Sequence, residues 1–334
     1  MRRLIILFLL FGCVSQPVAG DNSTSQTENN ITEMPQAPAE IPEEIPGPDE
    51  LQDMNQDLFP TDGLTIYRNI QYSNASERLL LDIFMPDAEN PPLIVYIHGG
   101  GWAEGSKYEC PAGGIAEYGF AVACINYRLS TEAKFPAQIR DVQAATVFLR
   151  ENSGEYGYDP KRFGVFGHSA GGHLAALAGT SGENMTKFQA AADWSGPADL
   201  LSVEEVEVDL NASDIQYYVV DEKTAVAYLL GGQISEKKEL AIEADPITYV
   251  TPDDPPFLII HGEKDGTVNV SRSRALYQAL KEAGVEVTYI EVPGGGHHFI
   301  ALEENGSHGE EFVETMRFFK EKLAECDCAR ASFP

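Results

Sequence analysis

A serine framed by glycines stands where an apolar strand would hand over to a helix: Phe163 to Leu174 reads FGVFGHSAGGHL, with Gly167-His168-Ser169-Ala170-Gly171 at its centre. Strand, sharp turn and small-residue helix, in that order, lift a serine hydroxyl to the apex of a strained turn, and only glycine fits on either side of it. Ser169 is therefore the candidate nucleophile. A serine hydroxyl attacks only when an imidazole takes its proton and a carboxylate fixes the tautomer and charge of that imidazole. Asp265 in HGEKD (261–265) and His297 in GGGHH (294–298) both follow later apolar runs, completing the nucleophile–acid–base order that goes with such an elbow. Upstream, the apolar run Leu93 to Ile97 ends in His98-Gly99-Gly100-Gly101-Trp102. Charge developing on a substrate oxygen needs preorganised donors, and the backbone N–H groups of Gly100, Gly101 and Ala170 are the candidates.

Other polar residues nearby have structural readings. His98 is expected to brace the glycine turn, His168 fills the variable position of the elbow, and His173 lies one turn into the following helix. Asp141, Asp193 and Asp199 are alternative acids, but none combines a strand-end loop with a place between Ser169 and His297. No metal-ligand spacing and no dinucleotide fingerprint occurs, so no cofactor is expected.

The elements that must position these residues alternate along the chain. LTIYRNIQY from Leu64 and RLLLDIFMP from Arg78 look like an antiparallel edge pair. Leu93 to Ile97, Phe120 to Tyr127, the strand carrying the elbow, Ala191 to Leu200 with its turn, Phe257 to Ile260 and Val285 to Val292 read as further strands, several apolar enough for burial on both faces. Between them, Pro136 to Glu151 places Ile139, Val142, Thr146 and Leu149 at helical spacing, and another helix aligns Ala275, Leu276, Ala279 and Leu280. Glu310 to Ala324 closes the series as an amphipathic helix with Phe312, Met316, Phe319 and Leu323 inward. The alternation implies a mostly parallel, doubly wound α/β sheet with helices on both faces and ligands at the strands' carboxyl ends. Residues 201–249 are longer than an ordinary connection and read either as a small helical cap over the cleft or as a peripheral excursion.

Composition bounds the rest. The chain has 334 residues, 43% of them hydrophobic, and a net charge of -29. That charge argues against nucleic acid or an anionic membrane face as a partner, because Lys and Arg clusters are what hold such ligands. Residues 1–20 read as an export signal, with Arg2 and Arg3 ahead of an apolar run, Leu4 to Phe11, too short to span a bilayer. The run ends in Leu10-Phe11-Gly12-Cys13, similar to a lipoprotein box, and lipidation of Cys13 is favoured over cleavage after Val18-Ala19-Gly20. Residues 21–57 are rich in Ser, Thr, Asn, Pro and Glu and read as a disordered tether, leaving 58–334 as one catalytic domain. Sequons fall at Asn22, Asn30, Asn74, Asn184, Asn211, Asn269 and Asn305. Of the five cysteines, Cys124 reads as a small buried hydrophobe, and any bridge must come from Cys110, Cys124, Cys326 and Cys328.

HGGGW, YRLS, FPAQIRDV, GHSAGGHLAAL, GPADL, HGEKD and GGGHHF together resemble the α/β-hydrolase superfamily, within it the acetylesterase and feruloyl-esterase-like (BD-FAE-like) branch near the hormone-sensitive-lipase type. The resemblance runs from about Leu64 to Leu323. It implies Ser169 as nucleophile, Asp265 as triad acid, His297 as base, and Gly100, Gly101 and Ala170 as the oxyanion hole. Where the family usually has Gly-His-Gly-Phe, this chain has Gly296-His297-His298-Phe299, and that register selects His297 as the base and leaves His298 to line the pocket rim or pack against the cap. The implied activity is hydrolysis of short acyl esters, acetyl or feruloyl groups on carbohydrate among them, by an exported, lipid-anchored or secreted enzyme. A peptidase or formamidase on the same fold, and a non-catalytic hydrolase-like binding domain, are the alternatives.

Overall fold

A computed structural model describes residues 61–204, 222–298 and 309–324. The leader with Cys13, the tether, the sequons at Asn22, Asn30, Asn211 and Asn305, residues 205–221 of the long connection, Phe299, Cys326 and Cys328 lie outside the described residues. Strands β1 (Thr65–Gln71), β2 (Leu80–Met85), β3 (Leu93–Ile97), β4 (Ala121–Ile125), β5 (Phe163–His168), β6 (Ala190–Trp194), β7 (Phe257–Gly262) and β8 (Val287–Val292) form one sheet in the order β1-β2-β4-β3-β5-β6-β7-β8. The edge pair is antiparallel as expected, β2 joins β4 antiparallel, and every pair from β4 to β8 is parallel.

The solid apolar runs are strands covered on both sides. Successive residues of a strand face opposite ways, so Leu93, Val95 and Ile97 enter one core while Ile94 and Tyr96 enter the other, and Phe257 and Ile259 part from Leu258 and Ile260 in the same way. Helices α1 (Ala112–Ala116), α2 (Ala137–Glu151), α3 (Ala170–Ser181), α4 (Glu222–Leu230), α5 (Lys238–Ala244), α6 (Ser271–Ala283) and α7 (Glu310–Lys322) cover these faces. Leu149 of α2, Leu174 of α3 and Leu276 of α6 pack in the first core, and Ile115 of α1 with Phe312, Met316 and Phe319 of α7 in the second. The sheet is thus doubly wound. Strand β8 is only half-buried, as an edge strand should be.

The described part of the long connection is not a detached lid. Val226, Leu229 and Leu230 of α4 and Ala241 and Ala244 of α5 are buried in the first core. Leu229 O accepts from Phe135 N at 2.9 Å, and Glu222 is buried in an ion pair with Arg272 of α6 at 3.1 Å. One cysteine reading needs correction: Cys124 is buried as expected, yet it is bonded to Cys110 in a disulfide. Cys110 lies in the loop after the glycine turn, so the bridge fastens that loop to β4.

Candidate active site

The elbow is built by close approach of backbones. Ser169 sits at φ 58°, ψ -122°, directly after β5 and before α3, a conformation that costs energy for any side chain and persists only where packing enforces it. A Cβ on Gly167 would stand 2.3 Å from the carbonyl of Gly171, and one on Gly171 would stand 2.0 Å from Ile97 O. Both glycines of the motif are therefore fixed by sterics. Ser169 N donates to Trp194 O at 2.7 Å, and Ser169 O receives His173 N at 2.9 Å, so the turn is tied to β6 and to its own helix.

Two strand-end loops deliver the partners. His297 Nε2 lies 2.9 Å from Ser169 Oγ, and His297 Nδ1 lies 2.7 Å from Asp265 Oδ2. A carboxylate only accepts, so Nδ1 carries the hydrogen and Nε2 is free to accept from the serine hydroxyl. Asp265 Oδ1 receives the backbone N–H groups of Thr267 at 2.8 Å and Val268 at 2.9 Å. Burial by itself pushes the Asp265 carboxyl up, but hydrogen bonds from His261 and His297, the charge on His297 and the Val268 amide outweigh it and hold the acid well below the usual carboxylate range. The side chain of Asp265 is fully buried and that of His297 is nearly so.

His261 is the participant that sequence reasoning left without a role. Its Nε2 is 3.1 Å from Asp265 Oδ2 and 3.0 Å from Val268 O, while Nδ1 meets Ser273 Oγ at 2.7 Å. Two acceptors around Nε2 put the hydrogen there, so Nδ1 accepts from Ser273. Asp265 Oδ2 thus faces two imidazole N–H donors. The signal was present in FLIIHG: a histidine closing an otherwise apolar strand must find partners once it is buried.

The glycine turn lies against the elbow, since a Cβ on Gly99 would stand 3.6 Å from Ser169 Cβ. Gly100 has φ +89° and Gly101 φ +54°. At Gly100 glycine is obligatory, because a Cβ would come within 2.5 Å of Glu104 O. His98 braces this turn as expected: Nδ1 meets Gly99 O at 2.9 Å, and its ring stacks on Tyr127 with centroids 4.3 Å apart. Burial, and then the charge of Arg78, push its imidazole down to about 3. Arg78 donates to Gly105 O at 2.6 Å and Tyr127 O at 2.8 Å, and buried Lys107 meets buried Asp82 at 2.7 Å, pinning the far end of the loop.

The other histidines and acids are held elsewhere. His173 Nε2 donates to Ala244 O at 2.7 Å. His168 Nε2 donates to the main-chain oxygen of His297 at 2.7 Å. His298 is exposed, its ring 4.9 Å from that of His297 and 5.2 Å from that of His168. Asp141 grips Arg128, Asp193 is buried and accepts from Gly196 N at 2.8 Å, and Asp199 lies 3.8 Å from Arg272. Among the described residues no cluster of His, Cys, Asp and Glu is placed to hold a metal ion.

Known proteins match this chain across the same region. The sequence profile of the BD-FAE family matches residues 81–280. Esterase LipQ of Mycobacterium tuberculosis is 33% identical over 250 residues, 69% of this chain and 56% of its own length. The probable carboxylic ester hydrolase LipM of the same organism is 28% identical over 263 residues, 72% of this chain and 59% of its own. The chain therefore spans a little over half the length of the curated relatives it matches. Among solved structures, the truncated form of a carbohydrate esterase from gut microbiota superposes with a TM-score of 0.67 at 30% identity, covering 78% of this chain and 98% of that one. A bifunctional GH43-CE protein of Bacteroides eggerthii gives 0.65 at 30% identity, covering 77% of this chain and 38% of that one.

Proposed function

The chain belongs to the BD-FAE family and has the α/β-hydrolase fold, and from that premise we propose that it is a serine carboxylesterase acting on short acyl esters through an acyl-enzyme. The observation that carries this reading is the chain of hydrogen bonds from Ser169 Oγ through His297 to Asp265. In the proposed cycle His297 Nε2 takes the Ser169 proton as Oγ attacks the acyl carbonyl, and the anionic Asp265 stabilises the imidazolium that forms. The N–H groups of Gly100, Gly101 and Ala170 receive the oxyanion. Collapse of the tetrahedral intermediate expels the alcohol, which leaves with the proton from His297. A water then gives its proton to His297 and attacks the acyl-serine, releasing the acid and restoring the Ser169 hydroxyl.

The substrate class proposed is an acetylated or feruloylated carbohydrate, a reading supported by the carbohydrate esterase likeness at 30% identity. We also propose that the protein is exported and anchored through lipidated Cys13. The leader of residues 1–20 supports this, as does the Cys110–Cys124 disulfide, since such bonds persist in oxidising compartments.

Ser169→Ala is expected to abolish hydrolysis of an acetyl ester and covalent labelling by a fluorophosphonate while leaving thermal unfolding unchanged. Wild-type turnover in that variant would end the serine-esterase reading, and faster turnover of the matched amide would replace ester by amide chemistry. For the anchor, Cys13→Ser should move the protein from the membrane fraction to the soluble one, and an unchanged distribution refutes lipidation.

A further inference from the structure

We propose that His168 is a positioning residue that seats the base-bearing loop on the elbow, its Nε2–H fixing the main chain of His297 so that the His297 ring stands correctly between Ser169 and Asp265. The proposal rests on the reading of Ser169 as nucleophile and His297 as base. His168 is the last residue of β5 and the immediate neighbour of Ser169, while His297 follows β8 at the sheet edge. The bond from His168 Nε2 to His297 O, 2.7 Å long, joins the two loops directly, 129 residues apart in sequence. A carbonyl only accepts, so the hydrogen lies on Nε2.

The loop before His297 has other supports, and among the described residues they stop short of it. Gly294 N donates to Glu263 Oε2 at 2.8 Å, Gly295 N donates to Val292 O at 3.0 Å, and Gly295 O receives Lys264 N at 2.8 Å. These bonds hold the turn as far as Gly295. At His297 itself, Asp265 and Ser169 hold the two ring nitrogens, and neither fixes the backbone from which the ring hangs. His168 holds that backbone.

The choice of a ring donor has an electrostatic reason. The base becomes an imidazolium during each half of the cycle, and a charged donor packed 4.9 Å from it, centroid to centroid, would oppose that proton. Burial, with the neighbouring His297 and His298, keeps His168 neutral by pushing it down to about 3. A neutral N–H therefore supplies the tether without competing for the proton.

Misplacing a reacting group by about 1 Å can cost on the order of 100-fold. His168→Leu, which keeps bulk and removes the donor, is expected to lower kcat on an acetyl ester by about 10- to 100-fold with KM within about twofold. His168→Gln, whose side-chain amide can donate over a similar reach, should recover kcat to within about fivefold of wild type. A second readout needs no turnover: the exchange rate of the His297 Nδ1–H proton, followed by NMR, should rise at least about tenfold in His168→Leu and return in His168→Gln. If His168→Leu fails to fold, His168→Asn takes its place, its shorter amide falling short of the carbonyl. Wild-type kcat with unchanged proton exchange in the donor-less variant overturns the proposal, as does a His168→Gln variant no better than His168→Leu. A Ser169→Ala variant that still hydrolyses ester would fell the esterase reading instead, and the exchange measurement would still decide whether His168 seats His297.

Discussion

Asp265 is held by more donors than a triad acid strictly needs, and the surplus comes from His261. Both imidazole N–H groups converge on Oδ2, while Thr267 N and Val268 N occupy Oδ1. A carboxylate so surrounded stays ionised and cannot rotate away from His297. His261→Phe removes one donor to a buried anion and also leaves Val268 O and Ser273 Oγ without their imidazole partner, so it should lower stability by at least about 1.5–3 kcal/mol at neutral pH, the range for hydrogen bonds to charged groups. The sign of the pH dependence follows from linkage. An acid whose folded pKa is depressed contributes stability above its unfolded value, about 3.9, and loses it as pH falls through the folded value. The gap between wild type and His261→Phe should therefore be full at pH 7 and narrow only as pH falls through the folded Asp265 values, well below the usual carboxylate range, as read from denaturant midpoints. A gap below about 0.5 kcal/mol at pH 7 would show that the His261 N–H adds nothing to the hold on Asp265. Ser169, Asp265 and His297 were legible in the sequence because each stands in a short motif after an apolar run. The roles of His261 and His168 were not, because each depends on which loop folds back onto it, and spacing along the chain carries no such information.

At the scale of elements, legibility tracked burial pattern. Leu93–Ile97, Ala121–Ile125 and Phe257–Gly262 could be read from their apolar runs because a strand covered on both faces has no polar side to interrupt it. Helices α2, α6 and α7 could be read from a single apolar stripe, since each rests one face on the sheet. The segment 201–249, open between a helical cap and a peripheral excursion, was ambiguous for the opposite reason. Its acids and aromatics suit a helical cap, yet Tyr228, Leu229 and Leu230 are buried, and Glu222 pairs with Arg272. A buried ion pair between distant segments leaves no periodic trace in either one. The disulfide escaped for a related reason: Cys124 sits in a strand whose neighbours are all apolar, and only the return of the loop past Cys110 gives it a thiol to meet. The elbow was the most legible element of all, because a Cβ on either of its glycines would stand only 2.0–2.3 Å from neighbouring backbone.

Over the whole molecule, the histidines that brace the site also set its tolerance of acid. His98, His168 and His173 are buried or nearly so, and burial pushes them down to about 3, about 3 and about 4. An unfolded chain protonates each near pH 6.5. Between that value and the folded pKa the unfolded state binds more protons, so stability falls as pH falls, by up to about 1.4 kcal/mol per pH unit for each net proton. Asp193 works the other way: burial raises it to about 6, so the folded chain takes up a proton there before the unfolded one does and gains stability as pH drops toward 4. Glu109, pushed up to about 7 by burial, acts in the same sense as Asp193, while His298, pushed down to about 4, joins the other imidazoles, and four imidazoles against these two carboxyls leave the balance on the side of acid lability. The dense negative charge of the chain does not reverse it in this window, since ordinary carboxylates are half-protonated only near pH 4. The denaturant midpoint is therefore expected to fall steadily from pH 7 to pH 5, ahead of any general carboxylate titration. Replacing His173 by Gln, which can still donate to Ala244 O, should make that slope shallower by roughly one proton's share. A slope left unchanged by His173→Gln would mean that His173 is not held neutral in the folded chain.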